Sequence, residues 1–502
     1  MTTTSETLAL IQQALAAGGG AAPAEIMTKG WDQSASATSG ITYYDLEPGA
    51  KKLYPVLTPL RNAIPRATGG KGIQANWRAI TGVNTNNLDM GVSHGNRGGV
   101  IATSTQDYYA AFAGLGLEDF VNFEADYAAE GFDDVKALAM EGLLRAYMIG
   151  EEKVILGGQA TYGIGQAAQP TVADVGTGGT LAYNTQYSVI VAGLTLAGYE
   201  ASTVASGVRG SVSRTNIDTS VDTYGGGTGK LSANRLVQTA NDANNTHALS
   251  CSVANLAGAV AYAWFWGAPG AEVLGAITTV NSLVITAAAT GTQTAASLGA
   301  NDNSNNNLVF DGLLAQAWKA NSGSLIAYQA TGAAGTGTPL TSDGVGGIVE
   351  FDADLQWFYD NHRMSPDTIW VSSQEQKNIK KKILNAGTAA AQRFVINTEQ
   401  GNIKGGDLVA SYLNPFGLNG AKAIPIKLHP NVPPGTIMYD TDTLPYPLNG
   451  VPALKRMRMR RDYYSLAWPV VKRRWEYGVY ADGVLQHYAP FALGIRSNIG
   501  NG

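Results

Sequence analysis

Residues 130–158 read EGFDDVKALAMEGLLRAYMIGEEKVILGG, and the rest of the chain is organised around this stretch. It has no Pro, few β-branched residues before Ile149 and strong helix formers throughout, which predicts one long helix from about Phe132 to Ile149. At roughly 100° per residue, Asp134, Glu141, Arg145 and Glu152 fall within about 20° of one line. Glu141 and Arg145 sit four apart with the acid first, the favourable order for a helical ion pair. Almost everything else around the cylinder is apolar or small: Val135, Leu138, Met140, Leu143, Leu144, Tyr147, Met148, Ile149. A helix with so thin a polar stripe must be covered on several sides. The cover comes either from one large domain or in part from neighbouring subunits.

Upstream, residues 53–84 carry Pro55, Pro59 and Pro65, which keep the segment extended rather than helical. After Gly69-Gly70, Ile73, Ala75, Trp77 and Ala79 share one parity, the pattern of a strand. A Gly- and Asn-rich run, VNTNNLDMGVSHGNRGG, leads on to VIATSTQDYYAAF. Residues 66–110 therefore read as a long hairpin that leaves the body of the protein. Its middle has too few large apolar residues to pack a core, and a two-stranded ribbon is marginal alone. A partner subunit is the expected cover, with Lys71, Trp77, Arg78 and Arg97 as the contact residues. Further back, SETLALIQQALAA (5–17) offers Ser5 as a cap and Leu8, Ile11 and Leu15 at helical spacing. A mobile arm is expected over 18–50, and the tethered helix reads as a docking element.

Downstream, residues 161–307 lose most of their charge. YSVIVAGLTL (187–196), AVAYAWFW (259–266) and NSLVITA (281–287) are β-rich runs, with Val260, Tyr262, Trp264 and Trp266 on one face. Loose segments flank the region on both sides, so it reads as an inserted β-sandwich domain. The body resumes at LVFDGLLAQAWKA (308–320), with a helix from about Asp352 and a strand at Thr368–Val371. Ser372 and Glu375 make a capping box for the helix carrying Lys377 to Leu384. FVINT, IPIKLH and GTIMYD follow as strands, and the closing stretch from Ala453 is mostly sheet. The fold class is α+β, divided as 1–50 helix and arm, 51–160 loop and spine helix, 161–307 sandwich and 308–502 the remaining body.

At 502 residues the chain is too long for one compact core. Charged residues are only 15% and Gly reaches 61, which suits a loop- and sheet-rich protein with a polar, weakly charged surface. The net charge of −5 does not favour nucleic acid in bulk. The lone cysteine, Cys251, excludes an intrachain disulfide framework. Neither an export signal nor a membrane-spanning run is visible, so a cytoplasmic origin is expected.

Enzymatic motifs fail on inspection. Gly91-Val92-Ser93-His94-Gly95 spells a nucleophile elbow, which needs a strand before the serine and a helix after it; the surrounding glycines describe a loop tip. GGGTGKLS (225–232) evokes a phosphate loop, but Tyr224 stands where the first Gly belongs and Leu231 where Ser or Thr belongs. His94, His247, His362, His429 and His487 show no paired ligand spacing. Asp440 and Asp442, or Asp302 among its asparagines, read as solvated turns sooner than as a cation site. No catalytic residue, metal or cofactor is expected. In the basic run Lys455–Arg461, strand alternation puts Arg456, Arg458 and Arg460 on one face and Met457 and Met459 on the other. A neighbouring subunit's acidic residues are the first partner expected for that face, and loose contact with DNA phosphates the second.

Taken in order, LTPLRNAIPR before the hairpin, FDDVKALAMEGLLRAYMIGEEKVILGG, FDGLLAQ, the segment ending in IWVSS and PVVKRRWEYGVYADGVLQHYAPFALGI resemble the major capsid proteins of tailed bacteriophages, the Hong Kong 97-like fold. The resemblance covers about 50–160 and 308–502. It implies an N-terminal arm, an extended loop (66–110), a peripheral domain built on the spine helix and C-terminal strands, and an axial domain (about 340–450). Residues 161–307 resemble the immunoglobulin- or fibronectin-like insertions of some members. The resemblance further implies pentamers and hexamers in an icosahedral shell around double-stranded DNA, a portal, and, given the short arm, a separate scaffolding protein. Lys71 is the only lysine between Arg66 and Tyr109 and lies near the loop base, which argues against the inter-subunit cross-link found in some relatives. An encapsulin-like compartment is the alternative within the fold. A surface-displayed β-sandwich adhesin is the alternative outside it and requires an export signal.

Overall fold

The computed structural model describes residues 55–83, 91–100, 102–130, 134–216, 219–384, 396–397, 402–403, 409–417, 421–446 and 449–502. The expected helix at 5–17 and arm at 18–50 lie outside the described residues, as does most of the strand expected at 394–398. The chain divides into two units. The smaller takes 1–54 and 123–136, and its described part holds a short helix with Lys136 ion-paired to Asp126 at 2.8 Å. The larger takes 55–122 and 137–502.

The first elements in chain order are α1 (Pro59–Ala63), β1 (Arg66–Ala67), β2 (Gln74–Val83), β3 (Thr103–Ala111), β4 (Ala113–Asn122), α2 (Phe123–Ala128) and α3 (Val135–Gly157). Helix α3 runs two turns past the expected end at Ile149. Gly150 costs about 1 kcal/mol relative to Ala in a helix interior. Ile155 and Leu156 beyond it are fully buried, and each such side chain contributes about 1.5–3 kcal/mol, so packing overrides the local penalty. Glu152 also leaves the predicted solvent stripe, since it is fully buried. Leu138, Met140, Leu144 and Met148, all before Gly150, are half-buried.

Strands β2 and β3 pair antiparallel from Gln74–Ala111 to Val83–Thr103, with an irregularity at Ile80/Gly82, and form a two-stranded sheet of their own. This is the hairpin that the parity of Trp77 and its neighbours predicts.

The β-rich region adds β5 (Thr171–Asp174), β6 (Gln186–Leu194), α4 (Leu196–Ala201), β7 (Ser211–Thr215), β8 (Val221–Gly225), β9 (Arg235–Gln238), β10 (Leu249–Ser252), β11 (Ala261–Gly267), β12 (Val273–Thr278) and β13 (Ser282–Ile285). A three-stranded sheet, β13-β10-β5, and a four-stranded sheet, β12-β11-β6-β9, share one apolar core. Val172, Leu249, Cys251 and Ile285 enter it from the first sheet and Val189, Val191, Tyr262, Trp264 and Trp266 from the second. Ala261, Ala263 and Phe265 point the other way, into a second core with Leu194, Leu274 and Leu298. Burial on both faces explains why β11 is a continuous apolar run rather than an alternating one.

The region leaves and rejoins the body at one place. Gly312 N–H donates to Gly158 O at 2.8 Å and Asn306 N–H to Gln159 O at 2.8 Å. A Cβ on Gly158 would lie 2.4 Å from Phe310 O, and one on Gly312 would lie 2.5 Å from Val154 O, so the glycines of VILGG and FDG permit the crossing. Asp311 closes it by accepting from Ala160 and Thr161 N–H and from Lys319 Nζ at 2.7 Å. Burial alone would raise the Asp311 carboxyl, but Lys319 and Thr161 outweigh it and hold the group below its usual value.

The body holds α5 (Leu313–Trp318), β14 (Leu325–Tyr328), α6 (Val349–His362), β15 (Thr368–Val371), α7 (Ser373–Leu384), the short pair β16 (Ile396–Asn397) and β17 (Asn402–Ile403), β18 (Ser411–Asn414), β19 (Lys422–Leu428), β20 (Ile437–Asp440), β21 (Lys455–Ala467), β22 (Arg474–His487) and β23 (Gly494–Ser497). A six-stranded mixed sheet runs β14-β23-β20-β15-β19-β18, with Phe351, Leu355 and Phe358 of α6 and Ile379 of α7 in its core. The α7 cap is half a box. Ser372 Oγ accepts from Glu375 N–H at 3.3 Å, but the Glu375 carboxylate is buried and accepts from Gly435 N–H at 3.1 Å instead. A four-stranded sheet runs β1-β21-β22-β4, with β1 parallel to β21 and the other pairs antiparallel.

Candidate functional site: the ribbon and its root

The ribbon β2–β3 leaves the body where α1, β1, α3 and β21 meet, and two adjacent glutamates of α3 organise that root. The first N–H groups of a helix lack internal partners, and Thr58 supplies no side-chain cap to α1. Glu152, 92 and 91 residues away in sequence, takes that place by accepting from Leu60 N–H at 2.9 Å and Arg61 N–H at 2.7 Å. His429, just after β19, donates Nε2–H to the same carboxylate at 2.6 Å, while its Nδ1 accepts from Asn431 N–H. Glu151 accepts from Arg61 Nε at 3.0 Å, Arg66 at 2.8 Å and the Tyr463 hydroxyl. Arg66 also pairs with Asp462 at 2.8 Å and lies over the Tyr463 ring at 4.4 Å. Buried charges persist only where several partners surround them, and both glutamates meet that condition.

Strand β21 alternates as the sequence predicts, with Met457 and Met459 buried beneath Arg456, Arg458 and Arg460. The three guanidinium groups have partners in their own chain. Arg456 donates to Gln486 at 3.0 Å and lies over Tyr488. Arg458 donates to Gly69 O at 3.1 Å. Arg460 donates to Gly72 O at 2.9 Å and to Asp482 at 2.6 Å. Gly70 N–H meanwhile donates to Met459 O at 2.9 Å. The arginine face thus pins the start of the ribbon to the sheet, whatever a neighbouring copy adds.

Along the ribbon, Trp77 is half-buried. It stacks on Tyr108 at 5.7 Å and meets the edge of Tyr488 at 6.0 Å, so its own chain already takes much of its surface. Arg78 on the opposite face pairs across the strands with Asp107, 2.8 Å from one carboxylate oxygen. Lys71 near the base and Arg97 at the tip are exposed. The apolar surface lies elsewhere: Ile73 is 80% exposed, Ile80 70% and Tyr109 73%. Val92 and Val100 near the tip, and Trp468, Val470 and Val471 in the β21–β22 turn, add to it. On α3, Glu141 and Arg145 form their ion pair, each about one-third exposed.

Sequence reading missed three features. It placed Glu152 on the thin polar line of the helix and gave Glu151 no role. It treated Asp440 and Asp442 as a solvated turn, whereas Asp440 is buried and both carboxylates hold the Lys455 ammonium, Asp442 at 3.0 Å. It left Lys455 unassigned within the basic run, whereas strand parity puts it on the buried side with Met457. Beside it, burial and the Lys455 charge push His487 down to about 3, leaving a neutral imidazole. Ser93 stands in an exposed turn with no helix after it, and no cluster of metal-binding side chains occurs among the described residues.

No family model matches the chain, and no curated protein matches it. Among solved structures it is similar to the capsid of a native GTA particle, at 8% identity and TM-score 0.42 over 94% of this chain and 100% of that one. The capsid of Myoviridae phage XM1 gives 9% identity and TM-score 0.39 over 90% and 95%. An encapsulin complex from Synechococcus elongatus gives 8% and 0.35 over 90% and 92%. At these TM-scores the likenesses carry no argument by themselves.

Proposed function

We propose that the chain is a structural shell subunit, the major capsid protein of a tailed bacteriophage. Copies close into pentamers and hexamers and then into an icosahedral head around double-stranded DNA. The observation that carries the reading is the ribbon β2–β3. It is fixed at its root by buried carboxylates and by Arg458 and Arg460, yet exposes Ile73, Ile80 and Tyr109 and pairs with no other strand among those described. Large apolar side chains exposed on both faces of the ribbon suit a protein contact, and head-to-tail contacts of one chain with the next close into rings. The ordered sequence motifs support the same reading, since VILGG and FDG meet at one crossing and LTPLRNAIPR supplies the root. A separate scaffolding protein and a portal belong to this proposal.

The test is electron microscopy of the full chain expressed alone and beside its scaffolding partner. Closed particles are expected from the wild type, and soluble protein without particles from a deletion of residues 84–98. A compact monomer at high concentration under both conditions would overturn the reading. Particles filled with an enzyme rather than nucleic acid would move it to a storage compartment.

A further inference from the structure

The densest basic run of the sequence, 455–461, is already committed. Lys455 is buried between Asp440 and Asp442, Arg456, Arg458 and Arg460 bind their own chain, and Arg461 lies over the Tyr464 ring at 4.0 Å. A second basic group, on α7, is not committed. At roughly 100° per residue, Lys377, Lys380 and Lys381 fall within an arc of about 100°. Asn378 and Ile379 are buried on the other side of the helix, and Ile379 enters the core of the six-stranded sheet. Among the described residues no carboxylate lies within ion-pair distance of these lysines. Glu375, the only acid of α7, is buried and engaged with Gly435. Residues 385–395 contain Arg393 and no Asp or Glu.

We infer that the lysine face of α7 binds the phosphate backbone of double-stranded nucleic acid. This deepens the shell reading by naming where the enclosed polymer touches the subunit. Over residues 373–381, the turns that carry the lysines, this face also holds Ser373 and Gln374 and no large apolar residue. Protein–protein contacts are depleted in lysine and rich in aromatics, Met and Arg, so an acidic protein segment fits this face poorly. Phosphate contacts are non-directional and suit lysine. The rise of about 6 Å from Lys377 to Lys381 is comparable to two 3.4 Å axial rises along one strand of a duplex. The helix dipole rewards cations in the last turn but gives no account of Lys377, one turn earlier. With a net charge of −5 the rest of the chain repels the polymer, so binding is local and strongly salt-dependent.

The experiment measures binding of a labelled, arbitrary-sequence DNA duplex to the full-length protein by fluorescence anisotropy, from about 50 to 200 mM salt. Three phosphate contacts give a log–log slope near −2.7, a loss of roughly 40-fold over that range. The K377Q/K380Q/K381Q variant is expected to flatten the slope and lose most of the binding. The corresponding triple Arg variant should retain it, and K71Q/R97Q, which removes two exposed cations of the ribbon, should bind like the wild type. Equal binding by the triple Gln variant, or tighter binding of polyglutamate than of duplex by the wild type, overturns the inference. Particle formation is scored in parallel. Lysine-dependent DNA binding without particles sinks the shell reading alone, and particles without lysine-dependent binding sink this inference alone.

Discussion

The ribbon β2–β3 and the two-sheet region at 165–303 are both β-structure, but they treat their side chains in opposite ways. The two-sheet region buries Trp264, Phe265, Leu249 and Leu274 completely. The ribbon leaves Ile73, Ile80 and Tyr109 in solvent and half-buries Trp77 on one side. Two stacked sheets enclose a core between them; two strands have no second layer. The first region therefore encloses a core of its own, while the second is held in position from its root.

That contrast can be broken from either side. Trp264→Ala should have the largest effect, about 3–5 kcal/mol of lost unfolding free energy for a large core aromatic, read by thermal unfolding of the unassembled protein. A shift of under a degree would show that the two-sheet region does not stand on its own core. Glu152→Ala comes next, at about 3 kcal/mol, because the Leu60 and Arg61 N–H groups lose their acceptor and each unsatisfied donor costs about 1–3 kcal/mol. Glu152→Gln keeps an acceptor oxygen and should recover part of the loss; equal damage from both would leave the charge, not the capping, as the cause.

A smaller effect is expected from pH. His247, fully buried, faces Asp174 through Nδ1 at 2.9 Å and Asp242 through Nε2 at 3.0 Å. Hydrogen bonds donated to Asp242 and then to Asp174 raise its pKa above the ordinary value. The stabilisation is therefore complete below about 6.5, the unfolded value, and is lost as pH rises through the folded value. The melting temperature of the two-sheet region should fall as pH rises above about 6.5, and Asp242→Asn should flatten the dependence. A wild-type profile already flat there contradicts the charged imidazole.

The smallest stability change, within about 0.5 kcal/mol per site for exposed positions, is expected from replacing Ile73, Ile80 and Tyr109 with Ser. The same variant should nonetheless fail to form closed particles by negative-stain microscopy. Normal particles would remove these side chains from the contact.

Much of this architecture was legible locally. The parity of Ile73 to Ala79 marks a strand, the helix formers of 130–149 mark α3, and Ser372 marks the start of α7, because each signal lies within a few residues of what it predicts. The root of the ribbon was not legible. Arg61 reaches Tyr463 across 402 residues and His429 reaches Glu152 across 277, and no periodicity encodes such a pairing.

Local pattern alone sufficed for the α+β class, the ribbon and the alternation of Arg and Met in β21, whereas the crossing at the glycines of VILGG and FDG emerged only from the fold. Which charges are spent inside the chain and which stay exposed emerged only from the folded arrangement. The reason is physical: a carboxylate or guanidinium reads the same in any sequence, and its burial and partners depend on which distant segment folds against it.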